Sequence, residues 1–379
     1  NLPYFPSVLY FAASNALYLG GERAAGLQSN PGFFLGFSLA GLTVALVLNL
    51  IGLDIGKWLY NLGAIGTWLP IAFLWIVAAI ALWKFGSATR FSMTSLRPAL
   101  NFGTVGVWST IVFAFAGAES ASFLGGEILE PQRTIPRGLI LAGILITTGY
   151  ILGTVAVLVA LPQSQVSGLQ GIMQAITASA ARIGWPGAAP LTAFLICIAN
   201  IGAVGAWLAA IARIPFVVGI DRYLPPAFAR VHPKWGTPYV ALLVQALCGA
   251  VFIVLGQAGS SVLGAYQVLV SMIIITNFVP YLFVFAALIR LQREPAGLEV
   301  IRVPGGKRVA VALASLGFLT TCGAIVLSVI PDPTDPHKWF SVGKIFFLSA
   351  ILLSAGVLLY GLGRRNAGNS KYRDRVTMH

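Results

Sequence analysis

The chain has 379 residues, of which 58% are hydrophobic and only 9% charged, with a formal net charge of +13. Soluble domains carry about 25% charged residues, so this composition excludes an aqueous globular fold, and the many long apolar runs exceed the short core of a signal peptide. The basic residues lie between apolar runs rather than on one amphipathic face, which removes the nucleic-acid reading that such a charge invites in a soluble protein.

Apolar runs near the twenty-residue crossing length, bounded by Gly, Pro and charged residues, give ten candidate spans. They lie at 1–20, 32–51, 59–83, 103–126, 138–161, 188–215, 237–256, 263–289, 309–330 and 341–363. Strand-scale alternation is absent, which disfavours an outer-membrane barrel. The expected class is an all-α polytopic membrane protein, with residues 1–363 as the membrane domain and 364–379 as a polar, mobile tail. The chain starts without Met and enters an apolar run almost at once, so a fragment lacking its natural beginning is expected.

Several spans carry helix breakers, among them Pro70, Pro190, Pro215 and Pro280. Bilayer helices tolerate these because neighbouring segments satisfy the released backbone groups. Asn15, Asn49, Asn200 and Asn277 lie within or at the edges of spans. Each is a candidate for binding a substrate or ion, with interhelical hydrogen bonding the stronger expectation.

The stretch from Asn101 to Arg137 is the most informative. It joins an apolar run, the segment Phe113-Ala114-Phe115-Ala116-Gly117-Ala118-Glu119, a Gly- and Ala-rich piece, and a charged exit bounded by prolines. A carboxylate such as Glu119 inside an apolar span costs about 2.5–3.5 kcal/mol on insertion scales, so it faces protein or a wet cavity and marks function. Burial against a neighbouring helix is the alternative. Gly117, Gly125 and Gly126 allow a backbone break or close packing. A broken helix exposes amide donors and carbonyl acceptors at bilayer depth, with Phe113 and Phe115 as an aromatic wall and the small residues leaving backbone room.

Further along, 167–184 reads as a short amphipathic helix, either covering an outer vestibule or lying at the interface. Asp221 and the prolines after it stop one helix before a short second one at Phe228–Arg230, and 292–308 is a turn-rich linker. His232, His337 and His379 are far apart and form no metal cluster, and Cys197, Cys248 and Cys322 lie in apolar runs as small packing residues. No metal or other cofactor is expected. Ser120 and Ser122 have no partner base at recognisable spacing, so an enzyme is not expected.

Charge sets the orientation. With the C-terminus cytoplasmic, seventeen Lys and Arg fall on the cytoplasmic side and seven on the other. The positive-inside rule therefore places the C-terminus in the cytoplasm of a cell with the chain in its cytoplasmic membrane.

The segment Phe113–Glu119, followed by Glu127, Pro131, Arg133, Pro136 and Arg137, resembles the sixth helix and following loop of amino acid–polyamine–organocation transporters. Arg213, Asp221, Leu224-Pro225, Phe228-Ala229-Arg230-Val231-His232 and Gly236-Thr237-Pro238 resemble that family's connection between helices eight and nine. The resemblance covers essentially the whole chain. It implies a LeuT-like inverted-repeat transporter fold, with the ten spans as family helices three to twelve and an incomplete first repeat. It implies a substrate-binding and gating segment of Phe113, Ala114, Phe115, Ala116, Gly117 and Glu119, with Thr67 and Asn200 as additions. Glu127, Arg133, Arg137, Arg213 and Asp221 would belong to the cytoplasmic gate. Thr67 stands nearest the position where proton-coupled relatives carry a lysine, which leaves proton coupling, exchange against a counter-substrate and facilitated uptake open. The expected function is transport of an amino acid or related amine by alternating access, as permease or antiporter, in contact with membrane lipid. A non-transporting amino acid sensor is the alternative.

Overall fold

The computed structural model describes residues 2–92, 97, 102–117, 128–166, 168–221, 223–293, 303, 305–331 and 337–376. Among them the ordered elements are helical: α1 (Tyr4–Gly20), α2 (Pro31–Ile51), α3 (Leu53–Phe85), α4 (Phe102–Ala114), α5 (Pro131–Ala160), α6 (Gly171–Arg182), α7 (Ala188–Ile220), α8 (Tyr239–Gln257), α9 (Val262–Leu291), α10 (Gly306–Leu327) and α11 (Lys338–Val376). Short 3₁₀ turns occupy Gly21–Leu27, Gln163–Gln165 and Pro226–Ala229.

Eight of these helices are long and apolar enough to cross a membrane: α2, α3, α5, α7, α8, α9, α10 and α11. The chain is an all-α, multi-pass membrane protein. Expected span one comes out as the 17-residue α1, and the described part of expected span four carries the 13-residue α4, its stretch 118–126 lying outside the described residues. Two boundaries move because the reading from sequence gave proline too much weight as a helix stop. α5 begins at Pro131, where a first-turn residue needs no N–H donor, so the segment expected as a charged loop exit is already helical. α7 runs through Pro215 to Ile220. The last helix also continues to Val376 instead of ending near 363.

The residues divide into two compact units. The larger comprises Leu2–Arg97, Gly143–Tyr266 and Gly356–His379. Its centre is the pair α3 and α7, brought together by small residues. A Cβ added at Gly66 would lie 2.6 Å from the Leu195 carbonyl oxygen, and one at Gly63 would lie 3.2 Å from the Gly202 Cα. Without a strong hydrophobic drive between helices in lipid, such close backbone approach supplies the dispersion contacts that hold them. Asn49 of α2 donates to the Gly205 carbonyl of α7 at 3.1 Å, which is the interhelical bond expected for it. Tyr10 of α1 donates to Gln257 Oε1 of α8 at 2.9 Å. The amphipathic α6 lays buried Met173, Ala175 and Ile176 against Leu74 and Ala78 of α3 and Ala193 and Ile196 of α7.

α2 has a clear local cause for its start. Asn30 Oδ1 accepts from the Gly32 and Phe33 N–H groups, and Pro31 occupies the first helical position.

The smaller unit comprises Pro98–Ala142 and Gln267–Ala355. Here α4 packs on α10, with Gly106 facing the Ile330 side chain just past the end of α10. A buried cluster of Ile274 and Phe278 from α9 and Ala324 from α10 receives Val112 and Phe113 from α4 and Ala116 beyond its end. That packing fixes where α4 stops.

Candidate functional site

The last four carbonyls of an α-helix have no partner within the helix. At the end of α4 two of them take the tighter three-residue form: Phe115 N–H donates to Val112 O at 3.2 Å and Ala116 N–H to Phe113 O at 2.9 Å. The chain then leaves the helical path at Gly117, whose φ of 109° lies where a Cβ is strained. The Gly117 N–H donates to the hydroxyl oxygen of Tyr281 on α9 at 3.2 Å.

Aromatic rings hold the break in place. Phe113 meets Phe278 edge to face, with centroids 6.0 Å apart, and Phe278 meets Tyr281 at 5.7 Å. Tyr281 also lies 6.3 Å from Phe285. The helix end is therefore anchored from α9 by both apolar packing and a backbone-directed hydroxyl. Phe115, by contrast, keeps 48% of its surface exposed. Of the two rings expected to form one wall, Phe113 packs in the cluster and Phe115 is the more exposed.

Ala114, Ala116 and Gly117 lie together at the break, as their adjacency requires, and all are half-buried. Glu119 and Glu127 lie outside the described residues. Thr67 and Asn200 belong to the larger unit, where their polar groups bond within their own helices: Thr67 to Gly63 O at 2.9 Å and Asn200 to Ile196 O at 2.7 Å. Asn200 thus bonds back along its own helix, whereas Asn49 also reaches across to α7. Arg133 reaches Glu130 at 3.5 Å with both side chains about three-quarters exposed (75% and 72%), a pair of little energetic weight. Arg137 is exposed on α5. Asp221 forms the C-cap of α7, where its backbone N–H bonds to Val217 O and Gly219 O, in keeping with the stop expected there. Arg213 lies on α7 about two turns before that cap and lines a cavity.

Tyr281 and Phe278 were not among the residues singled out from the sequence. Their signal was present: Phe278, Tyr281 and Phe285 recur at helical spacing around Pro280 and share a face. What the sequence withheld was which helix that face meets.

The model of a family described as amino acid permease matches residues 1–355. The chain belongs to the amino acid permease family. A transporter of Legionella pneumophila is 27% identical over 361 residues, covering 93% of this chain and 76% of that protein. A probable agmatine/putrescine antiporter of Lactococcus lactis is 22% identical over 333 residues, or 85% of this chain and 70% of its own length. A serine/threonine exchanger of Bacillus subtilis is 25% identical over 244 residues, 64% of this chain and 53% of the exchanger. This permease carries amino acids or related amines across the cell membrane, and its role is transport rather than enzymatic catalysis.

Proposed function

We propose that this permease works by alternating access and that the break between Ala114 and Gly117 is half of its substrate site. The observation that carries the reading is a helix ending inside an apolar span, with the turn after it latched by Tyr281. A helix C-terminus bears partial negative charge from aligned carbonyls, which favours a cation there. Half-helix ends of this kind serve transporters as binding groups at membrane depth. The α-ammonium of an amino acid, or the ammonium of a diamine, matches that end, and the exposed ring of Phe115 covers it.

Exchange is the favoured mode, because two of the relatives are an antiporter and an exchanger by name. The LeuT-like inverted repeat, with these helices as family helices three to twelve, is the architecture that supplies a second half-site. Glu119 serves as a packing and gating carboxylate rather than a proton carrier, and Glu127, Arg133, Arg137, Arg213 and Asp221 belong to the cytoplasmic end. The seventeen-to-seven distribution of Lys and Arg supports a cytoplasmic C-terminus.

The test is reconstitution of the whole protein in liposomes preloaded with an unlabelled amino acid or amine, followed by uptake of labelled substrates from a panel that includes serine, threonine, agmatine and putrescine. Uptake that depends on the internal substrate supports exchange. Uptake independent of internal substrate contradicts exchange, and absence of flux across the panel contradicts the proposal as a whole.

A further inference from the structure

At the end of the larger unit where α2 stops, α3 starts, α7 stops and α8 starts, a half-open cavity of about 480 Å³ lies between the helix ends. Its volume is within the roughly 300–1,000 Å³ of small-molecule sites. Its lining residues belong to the larger unit, and of them the transport reading places only Arg213, at the cytoplasmic end, without assigning the cavity a ligand.

Two cations line it. Arg213 comes from α7, with its Nη1 out of contact with solvent, and Lys234 comes from the loop before α8. None of the described lining residues is acidic. The N-terminus of α8 begins at Tyr239 with no side-chain cap, and the lining Pro238 precedes it, which adds the positive end of a helix dipole. Asn49 and Thr237 add polar groups, and Ile51, Ala212, Phe216 and Leu242 supply apolar wall.

The loop that carries Lys234 is built to hold its shape. His232 N–H donates to Thr237 O at 2.8 Å, and Gly236 N–H returns a bond to His232 O at 2.9 Å. Lys234 N–H donates to His232 Nδ1 at 3.2 Å, and the imidazole stacks on Trp235 with centroids 4.3 Å apart. Thr237 ties the loop to α2 through a 3.0 Å bond from its hydroxyl to Leu50 O. The Lys234 ammonium stands 5.8 Å from the centre of the Trp235 ring. Such a loop presents its lysine with little ordering left to do on binding.

From this geometry we infer that the cavity binds a phosphate-bearing anion, gripped by Arg213 and Lys234. A basic pocket between membrane helices with apolar walls suits the phosphate of an anionic lipid headgroup, whose glycerol and acyl carbons meet Phe216 and Leu242. Arg presents a planar fork of donors to phosphate oxygens and Lys a compact charge, so the pair supplies both geometry and field. A soluble phosphate compound carries the same recognised group, and the experiment separates the two sources.

Purified, delipidated protein in an uncharged detergent is titrated in separate arms with phosphatidylglycerol, phosphatidylcholine and inorganic phosphate at fixed ionic strength, with thermal unfolding as the readout. Saturable stabilisation by phosphatidylglycerol but not by phosphatidylcholine or phosphate identifies a lipid headgroup. Saturable stabilisation by phosphate identifies a soluble ligand. In either case R213Q and K234Q each weaken apparent affinity about fivefold, as loss of one basic residue beside an anionic group does, and K234R restores it. Lys234 is exposed on its loop, so K234Q decides the matter even where R213Q does not fold. No stabilisation of the wild type by either phosphate-bearing anion, or equal titration midpoints in wild type and K234Q, overturns the proposal.

Discussion

Replacing Tyr281 with Phe isolates the latch at the helix break. The substitution keeps the ring, and with it the contacts to Phe278 and Phe285, but removes the oxygen that accepts from the Gly117 N–H. A neutral hydrogen bond contributes about 0.5–1.5 kcal/mol net, and a buried donor left without its acceptor costs about 1–3 kcal/mol. The 3.2 Å length and partial burial put this bond toward the lower figures, about 1 kcal/mol. That energy is close to a fivefold change in the balance between the latched break and competing backbone arrangements. Exchange of labelled substrate in liposomes should therefore fall about fivefold in apparent affinity or rate, while the detergent-solubilised protein stays folded. Tyr281→Ala removes the ring as well and should lose more in both exchange and thermal stability, since edge-to-face aromatic pairs contribute about 0.5–1.5 kcal/mol each. Equal exchange by wild type and Y281F refutes the latch, and equal effects of Y281F and Y281A refute the division of labour between hydroxyl and ring.

Gly117→Ala places a Cβ at a φ of 109°, so it should cost at least about 1–2 kcal/mol and reduce exchange more than Y281F does, measured in the same liposomes. Gly66→Ala drives a methyl to within 2.6 Å of the Leu195 carbonyl oxygen and 3.1 Å of the Ala199 nitrogen, forcing α3 from α7; thermal unfolding should show a loss of about 1–3 kcal/mol, and an unchanged midpoint contradicts the close packing. Asn49→Leu removes the amide that bridges to Gly205 and should destabilise by about 1 kcal/mol in the same assay. Arg133→Ala breaks only an exposed pair with Glu130, so stability should stay within about 0.5 kcal/mol of wild type.

Much of the architecture was legible because the bilayer demands one repeating signal, an apolar run of crossing length, and eight such helices lie where those runs were found. The short α6 was equally readable, since its apolar positions recur at helical spacing and end up against α3 and α7. Helix ends were harder. Pro131 and Pro215 look like stops in a sequence, yet a first-turn proline forfeits nothing, and a membrane helix carries an internal one when neighbouring segments satisfy the freed carbonyl. At the site, Phe113–Gly117 stood out because the carboxylate of Glu119 and a run of small residues with a glycine interrupt an apolar span, and because the segment resembles the family's sixth helix. Tyr281 did not, because its importance comes from packing between segments more than 160 positions apart in the chain. The contrast between Asn49 and Asn200 makes the same point: identical amides in apolar spans, one bonded across to a second helix and the other back along its own.

Substrate protection at Phe115 tests the central claim most directly. In a background with Cys197, Cys248 and Cys322 replaced, Phe115→Cys introduces a single thiol at the exposed ring position beside the break. Its rate of reaction with a membrane-impermeant thiol reagent is measured in liposomes with and without the amino acids and amines that the protein exchanges. A half-site at Ala114–Gly117 predicts that exchanged substrates slow labelling at least about tenfold, in the same order as their apparent affinities, while compounds that are not exchanged leave it unchanged. Labelling that proceeds at one rate whatever substrate is present contradicts it.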